Sequence, residues 1–321
     1  LNSRSMKHKT AAVVVTFDGL ECLRSNLRSL QEQSLPFSRI IIVDNGSTDG
    51  TRAFVKEEQT LDLLPLERNR GFAGGANAGI RRALQDASID GIALVNNDVS
   101  LEPEWHWRAA NALFSHPAFG SCATCLLRKA QPLQVDTAGI CWALPGFADN
   151  AMTGQPAPPA DSPPSEVFGA SAAAALYRRA FFEDVGLFDE SLFAYQEDVD
   201  LALRGRAAGW SCVFAPAARG THQGFATNRP FPLGGTYADY YNARNRLYVL
   251  VKSLPKEQWR NSWKTILATN ARLLLASLPE GRGLAVALGM LHALLRLPRA
   301  VRARRQAAGE NAAPALTKPL L

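Results

Sequence analysis

The stretch "GIALVNNDVSLEPEW", Gly91 to Trp105, decides the architecture. Its apolar run is short and suited to a strand buried on both faces, and it stops at Asn96, Asn97 and Asp98 before a proline-containing segment begins. The same plan occurs upstream. "AAVVVTFDG" runs from Ala11 past Thr16 and Asp18, and "RIIIVDNGSTDGT" runs from Arg39 into a polar turn, with Ser47 or Thr48 available to cap the next helix. "LDLLPLERN" is a weaker strand of the series. Between the strands, "GLECLRSNLRSLQEQ" places Leu20, Leu23, Leu27 and Leu30 at helical spacing, and "AGGANAGIRRALQDA" reads as a further helix. Strands apolar on both faces and separated by helices predict an α/β fold with a covered parallel sheet. Right-handed crossovers then bring each strand's C-terminal end to one edge, where open sheets bind ligands. Thr16, Asp18, Asp44, Asn45, Asn96, Asn97 and Asp98 all fall there.

The 321 residues, 47% of them hydrophobic, are enough for one large or two modest domains. Five cysteines form no regular framework and no secretion signal opens the chain, so the expected compartment is the reducing cytoplasm. "CATC", Cys122 to Cys125, has redox or zinc spacing without a second pair and reads as part of a strand. The longest apolar run, "GLAVALGMLHALL", has 13 residues, short of the roughly 18 of a membrane span, so the chain is expected not to cross a bilayer. Residues 1–10 read as a tag remnant or disordered segment, and 11–235 as the α/β domain. Residues 236–305 read as a helical basic region and 306–321 as a disordered tail. Within the α/β domain, "LPGFADNAMTGQPAPPADSPPSE" reads as a long proline-rich surface loop.

Four features carry chemistry. Asp98 at an open sheet edge either caps a turn or holds a divalent cation whose remaining ligands come from phosphates and water. The glycines at 71, 74, 75 and 79 in "NRGFAGGANAGI" allow close backbone approach, and the helix among them offers N–H groups to anions. Glu197, Asp198 and Asp200 crowd one helical turn, as helix N-terminal acids do and as a general base does. His222 stands in a glycine-flanked loop, "GTHQG".

Together these segments resemble the family 2 glycosyltransferases of the GT-A fold, and among them the rhamnosyltransferase-like group. The match runs in order through "VVVTFDG", "RIIIVDNGSTDGT", "NRGFAGGANAGI", "ALVNNDVSLEP", "FGASAAAALYRRAFFEDVGLFDESLFAYQEDVDLALR" and "THQG". The resemblance implies a Rossmann-like nucleotide-diphospho-sugar transferase fold with a C-terminal helical extension. It sets Asp98 and His222 as contacts to Mg²⁺ or Mn²⁺, and Asn96 departs from the family's metal motif by replacing its first acid. Asn96 and Asn97 then face the ribose or donor sugar. Asp44 meets the nucleotide base, with Thr16 and Asp18 beside it and Asn69 and Asn77 lining the pocket. Asp198 is the base, with Glu197 as alternative or helper. The implied reaction is inverting, metal-dependent transfer in cell-surface polysaccharide synthesis, with dTDP-rhamnose as donor and a saccharide or lipid-linked saccharide as acceptor. UDP-sugar-dependent transfer and a catalytically silent glycan binder are the alternatives.

The C-terminal segments "WRNSWKTILATNARLLLASL" and "LAVALGMLHALLRLPRAVRARR" combine apolar faces with arginines. They suit either peripheral association with the cytoplasmic membrane surface or a helical cap and oligomer interface. Nucleic acid is not an expected partner, because no aromatic-basic platform accompanies the charge.

Overall fold

The computed structural model describes residues 7–143, 147–224, 229–254 and 256–310. The first half alternates as expected, with strands β1 (Lys9–Thr16), β2 (Arg39–Asp44), β3 (Asp62–Pro65) and β4 (Ile89–Asn96). Helices α1 (Leu20–Gln31), α2 (Thr51–Glu57) and α3 (Gly71–Leu84) separate them. The short β5 (Val99–Leu101) follows the turn at 97–98, and then α4 (Trp105–Phe114) and β6 (Phe119–Arg128). Next come β7 (Gln131–Thr137), β8 (Ile140–Ala143), β9 (Phe147–Asn150), β10 (Ser165–Val167) and β11 (Ala174–Arg178). The chain continues through α5 (Arg179–Val185), a 3₁₀ turn at Glu190–Leu192, α6 (Glu197–Ala207) and β12 (Ser211–His222). Helices α7 (Tyr237–Ser253), α8 (Lys256–Ser277) and α9 (Gly283–Glu310) complete it.

Ten strands form one sheet, ordered β10-β12-β6-β11-β4-β1-β2-β3, with β5 on β12 and β7 on β6. The half built from β3, β2, β1 and β4 is parallel. Beyond β4 the sheet is mixed: β11 runs antiparallel to both β4 and β6, while β6 and β12 are parallel. Alternate residues of each strand feed two cores. Val13, Val43 and Leu94 pack under α3, whereas Val14, Ile42 and Val95 pack with Leu23, Leu27 and Leu30 of α1 and Trp105 of α4. Cys122 and Cys125 fall into opposite cores, so "CATC" forms no dithiol or metal pair.

Several local readings change. Helix α2 takes Gly50 as its cap, while Ser47 and Thr48 are drawn to Asp18. Part of the proline-rich segment is strand β9, paired with β8; residues 144–146 lie outside the described residues. β1 starts at Lys9 and α9 reaches Glu310; 1–6 and 311–321 lie outside the described residues. Helix α9 also corrects the reading of its hydropathy. Over Gly283–Arg304 it is long and apolar enough to cross a membrane by length and composition, because Leu297, Ala300 and Val301 extend the 13-residue run between the arginines. In the fold it packs against α7, where Tyr240 Oη meets His292 Nδ1 at 2.7 Å.

The C-terminal helices share a third core with the catalytic part: Tyr248, Val249 and Leu250 of α7 pack with Trp142, Phe168, Leu192, Val199 and Leu203. A capping box between Thr236 and Asp239 starts α7.

Candidate active site

Register gathers the strand ends. Thr16 pairs with Asp44, and Val15 with Asn96, so the C-terminal tips of β1, β2 and β4 are level. Asn97 Nδ2 donates to Thr16 Oγ1 at 3.1 Å, joining two of the expected pocket residues. A Cβ at Gly19 would stand 2.4 Å from that Asn97 nitrogen, so this glycine makes room for the asparagine. The turn is held from below by Asn26 of α1, fully buried, whose Nδ2 donates to the carbonyls of Asn96 at 3.0 Å and Val99 at 2.8 Å. The Asn96 side chain itself is half-buried at the edge.

The turn at 97–98 is short because β5 immediately pairs with the end of β12, matching Val99 with His222. Asp98 Oδ1 therefore lies 3.2 Å from His222 Nε2, and His222 Nδ1 meets Asp136 Oδ2 at 2.7 Å. Burial opposes charge on this imidazole, but hydrogen bonds to Asp136 and Asp98 outweigh it and raise its pKa to about 9. Two ligands at right angles, each about 2.1 Å from a hard cation, lie about 3.0 Å apart, so the Asp98–His222 spacing fits one shared ion. Asp136 then orients the ring from behind, as second-layer carboxylates do for metal-bound histidines. No group of three protein ligands exists among the described residues, which leaves the other positions to phosphate and water.

The nucleotide end differs in detail from expectation. Asp44 is fully buried, with Oδ1 accepting from Ser47 N at 2.9 Å and Oδ2 from Arg52 Nε at 2.7 Å. Arg52, partly exposed, thus covers the carboxylate expected to meet the base. Asp18, at φ 47°, accepts from Thr48 N at 2.7 Å and faces Arg229 at 3.5 Å. Asn69 does not face a pocket through its oxygen, which accepts from Gly71 N at 2.8 Å and Asn45 Nδ2 at 3.1 Å. Asn77 is held by protein groups. It is buried, exchanges two hydrogen bonds with the backbone of Phe188 at 2.9 and 3.0 Å, and donates to Glu190 Oε1 at 3.1 Å, so it ties α3 to the segment before α6.

The glycine-rich helix start also serves that segment. Gly71 has φ +71°, and a Cβ there would sit 2.3 Å from Phe193 O. Ala73 N donates to this carbonyl at 3.0 Å, so the N–H expected to meet an anion is occupied by the chain itself.

Phe193 opens a strained loop. Phe193, Tyr195 and Gln196 all have φ between 65° and 67°, conformations that cost bulky residues energy and persist only when neighbours impose them. Helix α7 imposes them. Asn245 Nδ2 donates to the carbonyls of Leu192, Ala194 and Tyr195 at 2.9, 2.8 and 2.7 Å, and Gln196 Nε2 donates to Asn242 Oδ1 at 3.0 Å. One helical turn on, Asp200 is fully buried. Burial works against its charge, but Arg204 and Lys252 outweigh that and hold its carboxyl below the usual range. Asn245→Ala is expected to lower kcat tenfold or more with an unchanged donor KM, because it releases the loop that sets α6; stopped-time assays at saturating donor check it.

Glu197 and Asp198 begin α6 from this loop. Asp198 Oδ2 accepts from Ala172 N at 3.4 Å, and the next residue's carbonyl, Ala173 O, accepts from Asn96 N at 2.8 Å. Two consecutive residues, Ala172 and Ala173, therefore bridge Asp198 and the "NND" strand end. Burial raises the pKa of both acids; Glu197, carrying in addition the repulsion of Asp198, is pushed well up, and its Oε2 is buried with no hydrogen-bond partner.

Sequence reasoning missed Asp136, Arg52, Asn26 and Asn245. A polar residue on the apolar side of a helix was the available signal for Asn26 and Asn245; Asp136 and Arg52 gave none, since their roles arise from strand pairing and a turn.

The Glycosyl transferase family 2 profile matches residues 11–186. The N-acetylglucosaminyl-diphospho-decaprenol L-rhamnosyltransferase of Mycobacterium tuberculosis is 30% identical over 230 residues, 65% of this chain and 74% of that protein. The low-salt glycan biosynthesis hexosyltransferase Agl10 of Haloferax volcanii is 23% identical over 205 residues, 59% and 62% of the two chains. Among solved structures, GalNAc-T7 with UDP, GalNAc and Mn²⁺ superposes with a TM-score of 0.60 at 14% identity, over 76% of this chain and 48% of that one. The mannosyltransferase PcManGT of Pyrobaculum calidifontis, in complex with GDP-Man and Mn²⁺, gives 0.52 at 15% identity, over 97% and 77%. The fold is thus GT-A, with helices added at the C-terminus, and by family profile and relatives alike the chain belongs to the family 2 glycosyltransferases.

Proposed function

We propose that this enzyme moves rhamnose from dTDP-rhamnose, with inversion and with a divalent cation, onto a saccharide carried by a lipid diphosphate at the cytoplasmic membrane face. The observation that carries the reading is the bridge through Ala172 and Ala173, which sets two raised carboxylates beside the strand end that bears the Asp98–His222 pair. Burial raises both carboxyls and their like charges oppose joint ionisation, so one of the pair is expected to hold a proton while the other acts; we assign the base to Asp198, with Glu197 as its helper. Asp198 takes the acceptor hydroxyl's proton as that oxygen bonds to the anomeric carbon; the bond from that carbon to the diphosphate oxygen breaks, and the diphosphate leaves with the electron pair. Asp98 and His222 would hold Mg²⁺ or Mn²⁺, which when bound neutralises the departing diphosphate. The lipid diphosphate acceptor is supported by the acceptor in the mycobacterial relative's name.

Asn96 in place of an acid favours the rival reading of a silent glycan binder. Thermal unfolding with Mn²⁺ and a panel of dTDP-rhamnose, UDP-galactose, UDP-galactofuranose and UDP-N-acetylglucosamine, followed by assay of slow donor hydrolysis, separates the cases. The largest stabilisation, and metal-dependent hydrolysis, are expected with dTDP-rhamnose. A larger effect of a UDP-sugar overturns the donor assignment, and stabilisation without hydrolysis of any donor favours the binder.

The membrane reading rests on α8 and α9. Trp263, Leu267, Leu275, Leu291, Leu294 and Leu295 are all 45–70% exposed, and Arg299 and Arg302 continue α9. An apolar stripe flanked by arginines suits the surface of an anionic bilayer. The double variant Leu291→Glu with Leu295→Glu is expected to lose flotation with phosphatidylglycerol vesicles while retaining donor hydrolysis; flotation equal to that of the unmodified protein removes this part of the proposal.

A further inference from the structure

Two arginines from different helices converge on one backbone carbonyl. Arg244 of α7, only 5% exposed, donates from Nη2 to Ser191 O at 3.4 Å and also to Leu192 O. Arg296 of α9 donates from Nη1 to the same Ser191 O at 2.9 Å. The acids next to Ser191 are already committed, Asp189 to Lys252 at 2.7 Å and Glu190 to Arg70 and Arg81 at 2.7 and 3.1 Å. Burial, and next the charge of Arg296, pulls the pKa of Arg244 down, as expected of two cations facing each other with no carboxylate between them. Like charges brought together and withdrawn from water are costly unless an anion joins them, and paired guanidinium groups match the oxygens of a phosphate.

The surroundings say which anion. Arg244 lies 4.5 Å from the ring centre of Tyr241, which stacks on Phe193 at 5.3 Å and faces Tyr237 at 6.3 Å. Tyr237 is 36% exposed, and neither its hydroxyl nor that of Tyr241 has a hydrogen-bond partner among the described residues. Tyr237 N donates to Arg229 O, and Arg229 faces Asp18 at the nucleotide end, while Phe193 begins the loop that ends at Asp198. The rings thus lie between Asp18, at the proposed nucleotide end, and the loop that leads to Asp198. On α9, Leu294 and Leu295 immediately precede Arg296 and are 53% and 70% exposed.

We propose that Arg244 and Arg296 bind the diphosphate of a lipid-linked acceptor, with its sugar against Tyr241 and Tyr237 and its lipid leaving across Leu294 and Leu295. This assignment rests on the lipid diphosphate reading above and gives it an address separate from the Asp98–His222 pair.

Calorimetric titration with inorganic pyrophosphate in EDTA tests it without catalysis or metal. The full chain is expected to bind, Arg296→Ala to bind at least about tenfold more weakly, Arg296→Lys to fall between them, and Asp98→Asn to bind like the unmodified protein. Arg296 is chosen because it is partly exposed, so its removal spares the fold better than that of Arg244. Absence of binding by the unmodified protein, or equal binding by Arg296→Ala, overturns the proposal. Hydrolysis of dTDP-rhamnose by the same samples reports separately on the transferase reading: its failure alone sinks that reading and leaves the anion site standing.

Discussion

Replacing Asp198 with asparagine is expected to lower sugar transfer by about 10²–10⁴-fold while donor binding stays within a few-fold, because the change removes a proton acceptor and little else. Asparagine keeps an oxygen that can accept from Ala172 N, so the 172–173 bridge and the position of α6 survive. The pH profile gives the same residue a second readout. Burial raises the folded pKa of Asp198, so its base form appears only as pH rises through that raised value. Transfer on the acid side should therefore climb at a pH above the ordinary aspartate range near 4. The linked effect on stability has the opposite sense: a carboxyl whose pKa is raised by folding favours the folded state at low pH, and that contribution is lost as pH rises through the folded pKa. Measuring kcat and the melting temperature across the same pH series checks both signs. An acid limb at the value of a free carboxylate, or wild-type turnover in Asp198→Asn, removes Asp198 as the base.

Loss of either member of the cation pair has the second large effect. Asp98→Ala and His222→Ala are each expected to raise the Mn²⁺ concentration needed for half-maximal hydrolysis by tenfold or more, with little change in fold, since both side chains sit at strand ends outside the two cores. Asp136→Asn acts through His222 Nδ1 and should cost about 10–100-fold in metal affinity. Titrating Mn²⁺ against hydrolysis in the three variants orders them. Unchanged metal dependence in Asp98→Ala would place the cation elsewhere.

The strand ends were legible because continuous apolar runs that stop at polar residues fix both strand and edge, and a covered parallel sheet leaves little freedom in where those edges meet. Thr16 and Asp98 needed only that geometry to be brought together, whereas the places of Glu197, Asp198 and His222 came from the family resemblance. The glycine-rich helix left two partners open, a ligand or another segment, because local sequence does not distinguish them; Gly71 admits the Phe193 carbonyl. Likewise the use of the Asn77 amide by Phe188, across 111 residues of chain, has no local signal. The supports of the acid loop were illegible because their meaning is tertiary. Asn245 stands out in sequence only as a polar residue on an apolar helix side, and what it does appears when the three carbonyls it holds are seen together. The C-terminal helices accordingly serve the catalytic loop as well as any surface they dock on, and cutting the chain at Thr236 would remove both functions at once.

The most direct measurement is anomalous scattering from a crystal grown with Mn²⁺ and a nucleotide-sugar donor. A manganese peak about 2.2 Å from both Asp98 Oδ1 and His222 Nε2, with the donor's anomeric carbon turned toward Asp198, is the predicted result. A peak away from that pair, or a sugar facing away from α6, would contradict the account.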